Sequence, residues 1–80
     1  MIISDHARQE MEHSSISEEE VEQCLRYGEL VIKQQVQEEL RYGKELDLKE
    51  RKIIVIYTFR QDEERVITTY IVRRKKQWQK

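Results

Sequence analysis

The chain has 80 residues, enough for one small domain and too few for a second core. Charged residues make up 39% against a usual share of roughly 25%, and apolar ones 38%, yet the apolar residues sit in patterned runs rather than diluted as in a disordered chain. A single cysteine, Cys24, excludes an internal disulfide, no Cys/His spacing suggests a zinc site, and no apolar run approaches the roughly 20 residues of a membrane span. Met1-Ile2-Ile3 meets Ser4-Asp5 at once, which leaves no apolar region of a signal peptide. The expectation is a cytoplasmic protein with no membrane partner.

The formal net charge of −1 hides a division along the chain. Residues 1–40 hold three basic and ten acidic side chains, net −7, whereas residues 41–80 hold twelve basic and six acidic, net +6. Two readings stay open. The basic half faces a polyanion, or the two halves attract one another or a second copy of the chain.

A first helix is expected over about 4–14, with Ser4-Asp5 as N-cap and Ile3, Ala7 and Met11 recurring every four residues as one apolar stripe. It should stop near His13-Ser14-Ser15, where the serines compete for backbone hydrogen bonds. A second helix is expected over about 17–28. Ser17-Glu18-Glu19-Glu20 has the form of a capping box, and Ile16 and Val21 fit a hydrophobic staple. Val21, Cys24 and Leu25 form its apolar face, and Gly28 is the expected C-cap. Cys24 on that face is expected to be an inert core thiol.

After Gly28 the period changes to that of strands, expected over about 30–36 and 40–48 around Gln37-Glu38-Glu39. Lys49-Glu50-Arg51 then turns into the densest apolar stretch, a hairpin with strands over about 52–60 and 65–74. The sequence therefore predicts one α+β domain over 1–80, with two N-terminal helices packed on a four-stranded antiparallel β-sheet, and a basic tail over 73–80. With Arg60 opposite Arg65, Ile54, Ile56, Ile67 and Ile71 share one face of the hairpin. Ile53, Val55, Tyr57, Phe59, Val66, Tyr70 and Val72 then share the other. The helices are expected on the aliphatic face, leaving the aromatic face for the tail, a partner or a ligand.

Ser4-Asp5-His6-Ala7 followed by Met11, then Ile16-Ser17 leading to Val21, Leu25, Gly28-Glu29 and Ile32, resembles the bacterial domain of unknown function 4258. Val66-Ile67-Thr68-Thr69-Tyr70 resembles that family's last strand. The family is in turn similar in layout to the small RelE/ParE-type toxins, whose helices cover one face of an antiparallel sheet while the other can engage RNA. The resemblance implies a RelE-like layout and an RNA-directed toxin component, a metal-independent endoribonuclease paired with an antitoxin. It also singles out His6. The chain departs from the family at Glu10, where arginine is usual before the methionine, and at His13-Ser14-Ser15, where an Arg-Gly-like pair is frequent. Its pI near 6.1 is low for a cleaving toxin.

His6 is the acid/base candidate, since an imidazole exchanges a proton near neutrality as 2′-OH attack requires; its other reading is a structural hydrogen bond. Arg41 and Tyr70 join it as catalytic candidates, the guanidinium for phosphate charge and the phenol for stacking or a hydrogen bond. Arg60, Arg73, Arg74, Lys75, Lys76 and Trp78 are the candidate nucleic-acid-binding residues, combining charge with one aromatic. His6, Glu10 and His13 align on one helical face, but no fourth ligand accompanies them, so no metal and no cofactor is expected. The competing reading is a non-catalytic protein-interaction module or a homodimer.

Overall fold

The computed structural model describes residues 1–49 and 51–73; Glu50 and residues 74–80, with the candidates Arg74, Lys75, Lys76 and Trp78, lie outside the described residues. The elements run β1 (Ile2–Ile3), α1 (Asp5–Ser14), α2 (Glu18–Tyr27), β2 (Glu29–Val36), β3 (Glu39–Asp47), β4 (Arg51–Arg60) and β5 (Glu63–Arg73).

Each helix starts at a serine. Ser4 Oγ accepts the Ala7 N–H at 3.1 Å and donates to the Ile67 carbonyl at 3.0 Å, so one side chain both caps α1 and ties it to β5. At the N-terminus of α2 the Glu20 N–H donates to Ser17 Oγ at 3.0 Å and the Ser17 N–H donates to Glu20 Oε1 at 3.0 Å, a closed capping box. Between the helices Ser15 adopts a left-handed conformation (φ 57°), and its N–H returns to the Glu12 and Met11 carbonyls. Gly28 ends α2 in an extended conformation, so its role is space rather than a positive φ. A Cβ there would lie 2.4 Å from the Cys24 carbonyl oxygen and 2.7 Å from that of Glu45.

The sheet has five strands in the order β1-β5-β4-β3-β2 and is mixed, which corrects the expected four-stranded antiparallel sheet. The added strand is β1, paired parallel to β5 through Ile2 opposite Arg65 and Ile3 opposite Val66. Its physical reason is Ile3. That side chain completes the core beside Val66 instead of extending the α1 stripe, and the Ser4 N–H then donates to the Val66 carbonyl at 3.0 Å.

The central hairpin also differs from expectation. Arg60 pairs with Glu63, not Arg65, because the turn is only Gln61-Asp62, both at positive φ (52° and 65°), as a tight two-residue hairpin turn requires. A β-bulge then leaves Ile67 without a cross-strand partner, between Ile56 opposite Thr68 and Tyr57 opposite Val66. Beyond the bulge the faces of β5 are the reverse of those expected: Ile71 lies opposite Ile53, and Tyr70 opposite Ile54. The helices accordingly cover Ile53, Val55, Tyr57 and Val66, not the Ile54 and Ile56 side. Those four are fully or nearly fully buried with Ala7, Met11, Ile16, Val21, Cys24 and Leu25.

Gly43 faces away from the helices, opposite both Ile32 and Ile56. A Cβ on it would come within 2.9 Å of Ile32 Cβ and of the Cδ1 of both isoleucines. Overpacking of this kind costs about 1–3 kcal/mol. In urea unfolding, Gly43→Ala should lower stability by about 1–2 kcal/mol, and Ile56→Val, which removes one of the clashing methyls, should restore part of it. Gly28→Ala, facing two carbonyl oxygens, should be rescued by no trimming of a neighbouring side chain; equal rescue of both would contradict this packing.

Candidate functional site

The two faces of the sheet have different fates because side chains alternate along each strand. The face away from the helices, called here the reverse face, is built in rows across the strands. Thr58 and Arg65 form the row nearest the hairpin tips, with Arg41 on the same face of β3 just past the end of its pairing with β4; then come Gly43, Ile56 and Thr68; then Glu45, Ile54 and Tyr70; and last Asp47, Lys52 and Val72. Ile32 adds to the second row from β2. Tyr70 is 51% exposed and Val72 47%, while Ile32, Ile54 and Ile56 are half-buried. Among the described residues neither helix lies over this face.

A second feature sits at the hairpin tips. The pairing of β3 with β4 ends at Tyr42 opposite Tyr57, yet the β2–β3 and β4–β5 hairpins both continue past that point. The hairpins therefore part into a cleft lined by Glu39, Leu40, Tyr42, Thr58, Phe59 and Arg60. Thr58, almost fully buried, spans it by donating to the Leu40 carbonyl at 2.7 Å. Glu39 spans it again, taking Arg60 Nε at 2.7 Å on one carboxylate oxygen and Arg41 Nε at 3.2 Å on the other. Three rings pack alongside. Tyr42 stacks on Tyr57 at 5.5 Å, and Phe59 meets both edge-on at 6.2 and 5.9 Å.

Electrostatics follow from these contacts. Hydrogen bonds from Arg60 and then Arg41 hold the Glu39 carboxyl below the usual carboxylate range. The same bond to Glu39 holds the Arg60 guanidinium still more firmly protonated. Burial, reinforced by Glu64, raises the Tyr57 phenol, which stays neutral. Burial pushes the Cys24 thiol up to about 11 despite the nearby Lys44 ammonium, so at neutral pH it is a protonated core group and no nucleophile.

The sequence candidates are divided among these places. Arg41 and Arg60 meet at the cleft, both bound to Glu39. Tyr70 stands on the reverse face. His6 is exposed on α1, in the helical layer on the other side of the sheet, so the three catalytic candidates do not converge. Arg73 is exposed at the end of β5, opposite Arg51. No group of three or more His, Cys, Asp or Glu side chains is placed to hold a metal ion among the described residues, and no helix there is long and apolar enough to cross a membrane. Glu39 and Thr58 were not singled out by the sequence, because a turn-side glutamate and a strand threonine carry no signal until the hairpins part.

The Glu39 bridge gives a pH dependence whose sign is fixed. A carboxyl with a depressed folded-state pKa adds stability at neutral pH, and that stability is lost as pH falls below the ordinary carboxylate range through the folded value. Urea midpoints measured from neutral to acidic pH should show a gap between the wild type and Glu39→Gln at neutrality that closes at the acid end. A gap that widens on acidification would refute the bridge.

No curated protein and no solved structure matches the chain. The family described as a domain of unknown function, DUF4258, matches residues 3–71, from the Ile3 core residue to the Ile71 partner of Ile53. The chain belongs to the DUF4258 family.

Proposed function

We propose that the chain is a non-catalytic protein-interaction module that works through the reverse face. The observation that carries this reading is the row structure of that face: Ile32, Ile54, Ile56, Tyr70 and Val72 form an apolar band with charged side chains at both ends, uncovered among the described residues. An exposed apolar patch rimmed by polar groups is the usual mark of an interface. Charge supports a protein partner over a polyanion. Residues 1–73 hold eleven basic and sixteen acidic side chains, net −5, a charge that repels phosphate from this part of the chain.

The second reading is the RNA-directed, RelE-like toxin of a toxin–antitoxin pair. In its favour, the cleft is lined by Arg60 and the exposed ring of Phe59, with Arg41 joined to Arg60 through Glu39, which offers guanidinium and aromatic groups to a phosphate and a base. Against it, both guanidinium groups are already bound to Glu39, and His6 lies across the sheet from Tyr70.

Incubation of the full chain with total RNA tests the choice. The interaction module predicts intact RNA, no growth arrest on expression, and any residual RNA affinity unchanged in Arg41→Ala and Arg60→Ala. RNA cleavage that disappears in His6→Ala, or a salt-dependent affinity lost with either arginine, would overturn it.

A further inference from the structure

We infer that Arg65 holds a carboxylate of the partner in a recess at the corner of the reverse face. The inference rests on the interaction-module reading and names one chemical feature of that partner.

The recess comes first. Ile2, Arg60, Gln61, Glu63 and Arg65 line a space of about 290 Å³ between the β4–β5 turn and the start of β1. Apart from Gln61 in the turn, these residues share the reverse face, with Arg60 opposite Glu63 and Ile2 opposite Arg65. The space exists because β1 is two residues long. It pairs only with Arg65 and Val66, so it leaves β5 uncovered toward the turn. At roughly 30 Å³ for each water, the recess has room for a carboxyl group on its stem.

Arg65 supplies the donors. Its side chain makes no hydrogen bond or ion pair among the described residues, and its Nε is sealed from solvent without an acceptor. A buried guanidinium N–H left unpaired is costly, and such a group calls for a water, an ion or a ligand. Turned into the recess, the guanidinium presents Nε–H and an Nη–H side by side, the fork that matches both oxygens of a carboxylate. Arg60 is already engaged, with Nε and Nη2 on Glu39 at 2.7 and 3.4 Å, so it is a wall of the recess and not the fork.

Charge favours a carboxylate over phosphate. Glu63 stands exposed in the wall, and a dianion meets about twice the repulsion from it that a monoanion does. Position ties the site to the apolar band. Arg65 lies opposite Thr58, two residues and roughly 7 Å along β4 from Ile56. A partner segment resting apolar side chains on Ile54 and Ile56 therefore carries its aspartate or glutamate one row nearer the hairpin tips.

The test is NMR of the Arg65 Nε–H resonance in the full chain, titrated with sodium acetate and separately with inorganic phosphate. Sodium chloride keeps the ionic strength fixed, and far-UV circular dichroism checks the folding of each variant. Acetate should shift that resonance saturably and bind more tightly than phosphate. Arg65→Lys keeps the charge and loses the fork, so acetate affinity, read from neighbouring backbone amides, should fall by about tenfold. Glu63→Gln removes the repulsion and should raise it by about threefold. No saturable shift, phosphate tighter than acetate, or no gain in Glu63→Gln would each overturn the carboxylate site. The module reading is followed separately with an uncharged hydrophobic dye, whose binding Ile56→Arg should abolish. Dye binding lost in Ile56→Arg, with no acetate binding, would overturn the carboxylate and leave the module standing. Acetate binding with dye binding indifferent to Ile56→Arg would overturn the partner and leave a site for free carboxylates.

Discussion

Arg51 decides where the helical layer sits. Its guanidinium donates to the Ser14 and Ser15 carbonyls at 3.0 Å each and to Glu20 Oε1 at 2.8 Å. One side chain on β4 thus caps the C-terminal end of α1 and binds the carboxylate that closes the capping box of α2. At the other end of α1, Ser4 fixes the chain to β5 through Ile67. Between these anchors Ala7, Val21 and Cys24 bring both helices close to Val55 and Val66. A ten-residue helix is about 15 Å long, whereas a ten-residue strand is about 33 Å. Helices pinned at the Arg51 end cannot reach the hairpin tips, and two of them can cover only one face. The cleft at the tips and a reverse face uncovered among the described residues both follow from that mismatch.

What the sequence made legible was local chemistry. The helix starts follow from side chains that bond backbone three residues away, so Ser4, Ser17 and Glu20 announce themselves at fixed spacing. The α+β order follows from the change of period at Gly28. The sheet's register was not legible, because it turns on two backbone events with no residue signature. Gln61-Asp62 makes a two-residue turn at positive φ without a glycine, and Ile67 bulges inside an unbroken β-branched run. The turn shifts the pairing by two residues, which keeps each side chain on its face, and the bulge adds the odd residue that reverses the faces of β5 beyond it. β1 was illegible for a different reason: two residues cannot show a period, and Ile3 fits a helical stripe and a strand equally well.

The candidate site shows the same limit. Arginine and tyrosine in strands are easy to pick out, but whether they converge depends on register. Arg41 and Arg60 do, on a glutamate that the sequence placed in a turn. Tyr70 and His6 do not, because the sheet stands between them. A glutamate held between two guanidinium groups beside packed rings braces the two hairpins against each other.

The most direct measurement is methyl relaxation in the presence of a soluble paramagnetic agent, on the full chain at low and high protein concentration. Ile53 and Val55 should be shielded throughout, being buried under the helices. The Ile54 and Ile56 methyls, half-buried on the reverse face, should be strongly relaxed in dilute solution. Ile54 and Ile56 shielded as fully as Ile53 and Val55 would contradict a reverse face that the helices leave uncovered.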